Sequence, residues 1–222
     1  MSPVRIGVLG AGYFGTLHAL TINSLSEAQL CAIVDSSPDV LSQLPPSLKE
    51  IPRFSELSAA LENLAVDAWI VASSTASHVP LAQQLLQTDA FVLLEKPIAS
   101  SLAEAETLQA LDTSQLERLM LGHILLFNSE FRELQYQCQQ RGGFDYASCY
   151  RMRPTSHATH YADENPFFLT MVHDLYCVQS LVNAEEPKSF QAQQHRNTEG
   201  VMDLALAQLS WSNGRIATFA AG

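Results

Sequence analysis

A glycine motif near the amino terminus, Gly10-Ala11-Gly12-Tyr13-Phe14-Gly15, constrains the fold more than any other feature. An apolar run at residues 4–9 precedes it, and residues 13–25 have the pattern of a helix. A second apolar run follows at 30–34, so the motif lies in a strand–helix–strand unit of about 30 residues. In that context a GxGxxG sequence is typical of a helix N-terminus that binds a pyrophosphate.

Each glycine of the motif has its own physical role. Gly10 allows the tight turn, Gly12 lets the backbone approach a phosphate, and Gly15 lets the helix pack on the strand. Asp35 ends the second apolar run, where a carboxylate can accept hydrogen bonds from the hydroxyls of an adenine ribose. Because a carboxylate repels a 2′-phosphate, we expect NAD as the cofactor. NADP stays an alternative, since two serines follow the aspartate.

Strand and helix patterns alternate over the first 120 residues. Apolar runs rich in Val, Ile and Leu recur at 66–72 and 90–94. Between and after them, helices are predicted at 38–44, at 55–63 with Ser55 as N-cap, at 78–87 and at 101–111. This alternation predicts a parallel sheet that is buried on both faces.

The pattern changes after residue 122. Helices are predicted at 128–140 and 167–182, a polar loop at 153–165, and strands at 146–152, 189–195, 204–211 and 215–220. We therefore predict an α/β chain with an N-terminal Rossmann domain (1–122, parallel sheet) and an α+β domain (123–222, mainly antiparallel sheet). Because the chain ends directly after an apolar strand, we expect the second domain to be incomplete or its edge to be covered by a partner.

Composition excludes several classes of protein. The 222 residues are 47% hydrophobic and carry a formal net charge of −11, which excludes general disorder, nucleic-acid binding and docking on anionic membranes. No apolar run approaches the roughly 20 residues of a membrane span, and no leader peptide is visible. The four cysteines show no CxxC spacing, so we expect a reducing, cytoplasmic setting.

A second motif, Leu94-Glu95-Lys96-Pro97, closes the apolar run at 90–94. Lysine is scarce, and the carboxyl end of a parallel strand is where open α/β sheets bind ligands. Pro97 could hold a cis bond that aims the lysine. Taken alone, the motif fits equally well a surface lysine in front of a helix-starting proline.

The motifs in their order resemble those of the glucose–fructose oxidoreductase and inositol dehydrogenase family. These are the glycine motif, Asp35, the serine-rich segment that ends at His78, and LLEKPIA at 93–99. The resemblance continues at 122–128, similar to the family's entry to its second domain, and at Met171-Val172-His173-Asp174-Leu175, similar to its catalytic-helix motif.

The resemblance implies an NAD(P)-dependent oxidoreductase that transfers hydride between nicotinamide and a sugar-like or polyol-like hydroxyl or ketone. It implies that Lys96 contacts the reacting hydroxyl and the nicotinamide end, and that His173 is the acid/base; both would be catalytic and would bind substrate. The two aromatic residues of the glycine motif are expected to pack and shape the backbone rather than to stack on the cofactor. The predicted cofactor-binding residues are Gly10, Gly12, Tyr13, Phe14, Gly15, Asp35, Ser73, Ser74, His78, Glu95 and Lys96.

Three positions depart from the family pattern. Leu169 stands where members often carry an aspartate one turn before the histidine, Leu126 where a basic residue is expected, and Ser129 where a proline is usual. A catalytically degenerate NAD(H)-binding sensor or regulatory protein is therefore the alternative function. A member with a changed reaction, such as biliverdin-type reduction or redox-assisted glycoside cleavage, also remains open.

Arg151 and Arg153 share one face of a predicted strand and are candidates for binding an acidic substrate, such as a sugar acid or a sugar nucleotide. The alternative is a solvated strand face. His157 and His160, with His173 downstream, have the spacing of a metal site but lie in the predicted loop, so no metal is expected. Family members commonly associate through the outer face of the second sheet, and we expect the apolar final strand to leave an edge and a face exposed. We therefore predict a homo-oligomer, at least a dimer.

Overall fold

The computed structural model describes residues 2–154 and 165–222, which divide into one unit that ends at Gly122 and a second that begins at His123. In the first unit, six strands form one sheet in the order β3-β2-β1-β4-β5-β6, and every pair of neighbours is parallel. The strands are β1 (Val4–Leu9), β2 (Ala28–Val34), β3 (Arg53–Phe54), β4 (Ala68–Val71), β5 (Phe91–Leu94) and β6 (Leu119–Leu121). The strand order reverses between β1 and β4, which is where such sheets open a crevice at their carboxyl edge.

Helices cover both faces of this sheet. They are α1 (Tyr13–Ser24), α2 (Pro38–Ser42), α3 (Leu57–Asn63), α4 (Thr75–Leu85), α5 (Leu102–Glu106) and α6 (Thr113–Leu116). The apolar side chains of α1 and α2 form one core with β1 and β2, and those of α3 and α4 form the other with β4 and β5. The predicted Rossmann architecture of this unit is confirmed.

On one face of the sheet, the ring of Trp69 lies directly over Gly7 of β1. Gly7 is paired with Trp69 of β4, whose ring is fully buried. A Cβ at Gly7 would overlap that ring. The large ring therefore fills the volume that a side chain on the neighbouring strand would need.

Several predicted boundaries in this unit were wrong. Helix α3 begins at Leu57 instead of residue 55, because β3 pairs with β2 and keeps the chain extended through Phe54. Helix α4 begins at Thr75, soon after β4 ends at Val71, rather than at residue 78. The predicted helix at 101–111 is α5 followed by a 3₁₀ turn at Thr107–Ala110, and only Leu108 of its apolar residues is buried. The short strands β3 and β6 were not predicted.

The second unit is a four-stranded sheet in the order β7-β10-β9-β8 with helices on one face. Its strands are β7 (Tyr146–Arg151), β8 (Ser189–Arg196), β9 (Met202–Ser210) and β10 (Ile216–Ala221). Its helices are α7 (Ser129–Gln140) and α8 (Val172–Leu181), with a π-helical turn at Phe167–Met171 and a 3₁₀ turn at Ile124–Phe127. Two of the three strand pairs are antiparallel and β10–β7 is parallel, so the predicted mainly antiparallel sheet is confirmed.

The expectation that the final strand leaves an exposed edge was wrong. Strand β10 is an inner strand, hydrogen-bonded to β7 on one side and to β9 on the other. Ala217, Phe219 and Ala221 are buried in one cluster with Val178 of α8. The edges of the sheet are β7 and β8 instead, because β10 pairs in parallel with a strand about 70 residues earlier.

The predicted helix at 167–182 also differs in detail. Its first turn is π-helical and the α-helix begins only at Val172. No helix in the described part of the chain has the length and apolar character needed to cross a membrane.

Candidate dinucleotide site and catalytic residues

The glycine motif forms the turn between β1 and α1. Gly10 has a φ of +93°, a left-handed conformation that favours glycine. A Cβ on it would stand 2.5 Å from the backbone nitrogen of Ser73. A Cβ on Gly15 would overlap the carbonyl oxygen of Gly10, so this glycine lets the helix lie against the turn.

Gly12 differs from the other two because the protein itself does not require it. In the described structure, nothing lies within 4 Å of the Cβ position of Gly12. Gly12 is also the N-cap of α1, and no side chain among the described residues caps this helix end. The first-turn N–H groups of an α-helix have no partner within the helix, so they are suited to donate hydrogen bonds to an anion. This loop is a fitting cradle for the pyrophosphate of a dinucleotide.

Asp35 connects the end of β2 to the glycine loop. Its Oδ2 accepts a hydrogen bond from the backbone N–H of Ala11 at 2.7 Å, and its Oδ1 accepts one from Ser37 at 2.9 Å. Each carboxylate oxygen has a second lone pair, so the carboxylate can still accept from a ligand hydroxyl.

An open cavity of about 700 Å³ lies at the carboxyl edge of the sheet, beside the glycine loop. Its wall includes Gly10, Gly12, Asp35, Glu56 at the N-cap of α3, and Ser73 after β4. The volume is typical of a small-molecule site. Asp35 and Glu56 are its charged lining residues, and none of the described residues that line it is Lys or Arg.

The segment after β4 places the predicted serines at this cavity. Ser73 and Ser74 line it together with Ser77, and the hydroxyls of Ser73 and Ser77 are 2.7 Å apart. His78 lies behind them and is only 2% exposed. Its Nδ1 is 2.8 Å from the carbonyl oxygen of Pro97 and its Nε2 is 3.1 Å from that of Ser73. His78 therefore contacts the backbone of two loops, the one after β4 and the one after β5. Its direct contact with a cofactor stays a prediction.

Lys96 follows β5 at the same edge of the sheet, and the Lys96–Pro97 peptide bond is cis. Its Nζ lies 5.7 Å from the centroid of the Phe14 ring. Phe14 and Tyr13 contact each other edge to face and are 46% and 77% exposed, and their role beside a cofactor stays a prediction. The sequence prediction missed the contact between Lys96 and Phe14.

Glu95 is held from two directions. Its Oε1 accepts a hydrogen bond from Nε2 of His18 at 2.8 Å, and its Oε2 accepts one from the backbone N–H of Lys96 at 3.2 Å. Burial alone would raise the pKa of Glu95, but the contacts with His18 and Lys96 outweigh it and lower that pKa. His18 and Glu56 are the site residues that the sequence did not reveal. His18 lies within the helix predicted at 13–25 and Glu56 within the helix predicted at 55–63, and no motif marks either residue.

In the second unit, His173 lies in the first turn of α8 and is partly buried. Leu169 belongs to the π-helical turn before it. The neighbouring Asp174 forms a two-bond ion pair with Arg151, at 2.8 Å to Nε and 2.6 Å to Nη2. The hydrogen bonds that Arg151 donates to Asp174 raise the pKa of Arg151. One edge of this guanidinium is thus already engaged, and substrate binding by Arg151 stays a prediction.

The remaining candidates of the second unit are less informative. The backbone N–H of Arg153 donates to the carbonyl of Gly222 at 2.7 Å, while a substrate contact by its side chain stays a prediction. The ring of His123 stacks on Tyr176, with centroids 3.4 Å apart. His157 and His160 lie outside the described residues. Within the described ranges, no three His, Cys, Asp or Glu residues are grouped as metal ligands would be.

The chain is similar to known dehydrogenases. The chain is 26% identical over 224 residues to the UDP-N-acetylglucosamine 3-dehydrogenase of Acidithiobacillus ferrooxidans, with all of this chain and 67% of that protein covered. It is 30% identical over 132 residues to the myo-inositol 2-dehydrogenase of Thermotoga maritima, with 60% of this chain and 40% of that protein covered. The chain therefore spans about two thirds of the first relative's length and two fifths of the second's.

Solved structures agree with the fold. An apo scyllo-inositol dehydrogenase from Lactobacillus casei superimposes with a TM-score of 0.88 at 19% identity, covering 100% of this chain and 69% of the other. The solved UDP-N-acetylglucosamine 3-dehydrogenase from Acidithiobacillus ferrooxidans gives a TM-score of 0.80 at 26% identity, covering 100% of this chain and 70% of the other. A family model for an oxidoreductase family with an NAD-binding Rossmann fold matches residues 4–123, more than half of the chain. With the glycine loop, Asp35 and the cavity between them, this match shows that the chain belongs to that NAD-binding oxidoreductase family.

Proposed function

We propose that the protein is an NAD-dependent dehydrogenase that transfers hydride between nicotinamide and a hydroxyl-bearing carbon of a sugar-like or polyol-like substrate. One observation carries this proposal. The dinucleotide cavity and Lys96 lie at the same carboxyl edge of one parallel sheet, after β1, β2, β4 and β5. A cation at that edge is suited to act on a substrate oxygen next to a bound dinucleotide.

The chemistry divides into a hydride and a proton. In the oxidation direction the substrate carbon loses a hydride and its hydroxyl loses a proton; bound NAD⁺ supplies the hydride acceptor. The ammonium of Lys96 donates a hydrogen bond to the substrate oxygen and stabilises the negative charge that develops on it. His173 accepts the hydroxyl proton, and returns it when the reaction runs in reverse.

Two carboxylates favour NAD over NADP. Asp35 and Glu56 both line the cavity, and a 2′-phosphate there would meet negative charge without a described Lys or Arg in the lining to balance it. We therefore expect NAD(H) to bind more tightly than NADP(H). Asp35→Ala should weaken NAD(H) more than NADP(H), which narrows the ratio of the two dissociation constants. Fluorescence titration with both cofactors measures this ratio, and tighter binding of NADP(H) to the unmodified protein would contradict the assignment.

The substrate class rests on the relatives. One relative, which matches over the whole chain, is a UDP-N-acetylglucosamine 3-dehydrogenase, and a second relative is a myo-inositol 2-dehydrogenase. We therefore infer a sugar nucleotide as the first substrate to test and a polyol as the second. An anionic group of the substrate would have to share Arg151 with Asp174, whereas Arg153 remains the second candidate for that contact.

A screen for absorbance change at 340 nm tests the function. The panel contains UDP-N-acetylglucosamine, myo-inositol, scyllo-inositol, sugar acids and sugar phosphates, each with NAD⁺ and with NADP⁺. Lys96→Ala serves as the control for turnover by contaminating enzymes. We expect NAD⁺-dependent turnover with at least one member, lost in the control.

An NAD(H)-binding sensor is the second candidate. Leu169 favours it, because an apolar side chain stands where the family resemblance leads one to expect a carboxylate. A protein that binds NAD(H) but turns over no member of the panel would support this second function and contradict the first.

A further inference from the structure

Two histidines from two different helices hold the two residues that flank Lys96. His18 is on α1, the helix that begins at the glycine loop, and contacts Glu95. His78 is on α4, the helix that begins after Ser74, and contacts Pro97. Neither contact is local in sequence, since they join residues 77 and 19 positions apart.

The contact of His18 with Glu95 is closely confined. A carboxylate accepts but does not donate, so Nε2 of His18 is the donor of the 2.8 Å hydrogen bond. The second carboxylate oxygen accepts from the backbone N–H of Lys96 itself. On a third side, a Cβ at Gly122 would lie 3.1 Å from the carboxylate, so the space there is already filled. The Glu95 carboxylate thus connects His18 on α1 to the backbone N–H of Lys96 by two hydrogen bonds.

His78 confines the other flank. Its ring is almost fully buried between two backbone carbonyls, those of Pro97 at 2.8 Å and Ser73 at 3.1 Å. Both ring nitrogens face carbonyl acceptors, and a ring with one N–H can donate to only one of them; we assign that N–H to Nδ1 because the contact with Pro97 is the shorter. The ring thus donates a hydrogen bond to the residue after Lys96 and packs against the segment after β4, which lines the cavity.

We propose that His18 and His78 are positioning residues that fix the backbone on both sides of Lys96 and tie it to the two loops of the dinucleotide cavity. A long lysine side chain has many rotamers, so a fixed backbone reduces the freedom lost when the ammonium is aligned. Phe14, from the glycine motif, adds a face on which the ammonium rests, 5.7 Å from the ring centroid. The benefit to catalysis rests on the proposed function, whereas the positioning itself does not.

Substitution by glutamine or asparagine tests the role of each ring nitrogen separately. The amide nitrogen of glutamine can replace Nε2, and that of asparagine can replace Nδ1. His18→Gln should keep the hydrogen bond to Glu95 and His18→Asn should lose it. His78→Asn should keep the contact with Pro97, whereas His78→Gln should lose it.

The environment of Lys96 can be read directly, because the chain contains only three lysines, Lys49, Lys96 and Lys188. Reductive ¹³C-methylation of the full chain labels each lysine, and Lys96→Arg assigns the signal. We expect the Lys96 signal to shift or broaden in His18→Asn and in His78→Gln, and to stay near its original position in the two matched variants. His195→Asn is the control, since it alters a histidine whose 2.7 Å contact with Asp203 lies on an exposed strand elsewhere.

Steady-state kinetics supply the second measurement. We expect His18→Asn to lower kcat about 10-fold while the NAD(H) dissociation constant changes less than about 3-fold, the pattern of a lost transition-state interaction. In a Lys96→Ala background the same change should have no further effect.

The outcomes are distinguishable. An unchanged Lys96 signal in folded His18→Asn would overturn the proposal even if His78→Gln fails to fold, and so would equal shifts in the matched His18 variants. Full turnover in Lys96→Ala would instead refute the proposed function. The ¹³C spectra of Lys96 would then still test whether His18 and His78 position this residue.

Discussion

At the residue scale, the glycine loop shows which positions serve the fold and which serve a ligand. A side chain at Gly15 would meet the backbone of Gly10, whereas in the described structure a side chain at Gly12 would meet nothing within 4 Å. Both glycines belong to the same short motif, yet only Gly15 is required by the packing of the protein itself. Gly12 is explained by the pyrophosphate that such loops bind, because a glycine there lets the backbone approach it closely.

This difference predicts that replacement by alanine affects stability at Gly15 and cofactor binding at Gly12. Gly15→Ala should reduce the free energy of unfolding by roughly 1–3 kcal/mol, as expected when a side chain is forced into packed space. Gly12→Ala should leave the unfolding free energy nearly unchanged and weaken NAD(H) binding by at least 10-fold. Urea denaturation and fluorescence titration of both variants check this, and a loss of stability in Gly12→Ala equal to that in Gly15→Ala would contradict it.

At the element scale, the sheet of the first unit is joined by polar contacts as well as by its ladder. Arg5 on β1 forms a forked ion pair with Asp67, which directly precedes β4; Nη2 lies 2.7 Å from one carboxylate oxygen and Nε 3.2 Å from the other. The backbone N–H of Arg5 donates to the same carboxylate at 2.8 Å. The side-chain hydrogen bond from Arg5 is the main cause that lowers the pKa of Asp67 to about 2.

The lowered pKa predicts a specific acid dependence. A carboxyl whose pKa is lower in the folded state stabilises that state above its unfolded pKa, near 4, and loses this contribution as the pH falls towards 2. The difference in unfolding free energy between the unmodified protein and Asp67→Asn should therefore be constant at neutral pH and shrink between pH 4 and pH 2. Denaturation curves across this range measure it; a difference that grows on acidification would contradict the assignment. Because the pair is exposed, we expect a small effect.

At the scale of the whole molecule, each unit contributes its own part of the proposed chemistry. The first unit holds the dinucleotide cavity and Lys96, and the second holds His173. Lys96 and His173 differ in their surroundings, since Lys96 follows a parallel strand and His173 lies in the first turn of a helix that follows a π-helical turn.

If both residues act in the reaction, removing either should slow it strongly. We expect Lys96→Ala and His173→Ala each to lower turnover roughly 100-fold or more, the scale of acid–base and charge-stabilising groups. Binding of NAD(H) should change little, because the glycine loop holds the pyrophosphate. The two losses should not add in the double variant if the groups act as a unit. Turnover that survives His173→Ala would remove this histidine from the mechanism.

Assembly is the second prediction at this scale. The sheet of the second unit carries exposed aromatic side chains, with Tyr146 61%, Tyr150 78% and Phe190 74% exposed. Groups of exposed apolar side chains tend to be covered by a partner. We expect at least a dimer, and Tyr150→Glu should shift it towards monomer. Light scattering over a wide concentration range measures the mass, and a stable monomer of the unmodified protein throughout would contradict the prediction.

The sequence by itself determined the features that depend on short, periodic patterns. The apolar runs and the glycine motif predict the parallel sheet, the turn before α1 and the place of Asp35, because each is encoded within a few neighbouring residues. The order of the motifs also predicted the family, and the position of Lys96 after a buried strand predicted its place at the ligand-binding edge.

Only the tertiary structure decided which distant residues meet. Strands β3 and β6 are two and three residues long and exist because a neighbouring strand pairs with them, so local pattern could not reveal them. The same holds for β10, which is an inner strand because it pairs with β7. The pairing of Arg151 with Asp174 and of His18 with Glu95 likewise depends on where the backbone brings two charges together. Such contacts leave no periodic trace in the sequence, and for that reason the structure was needed to find them.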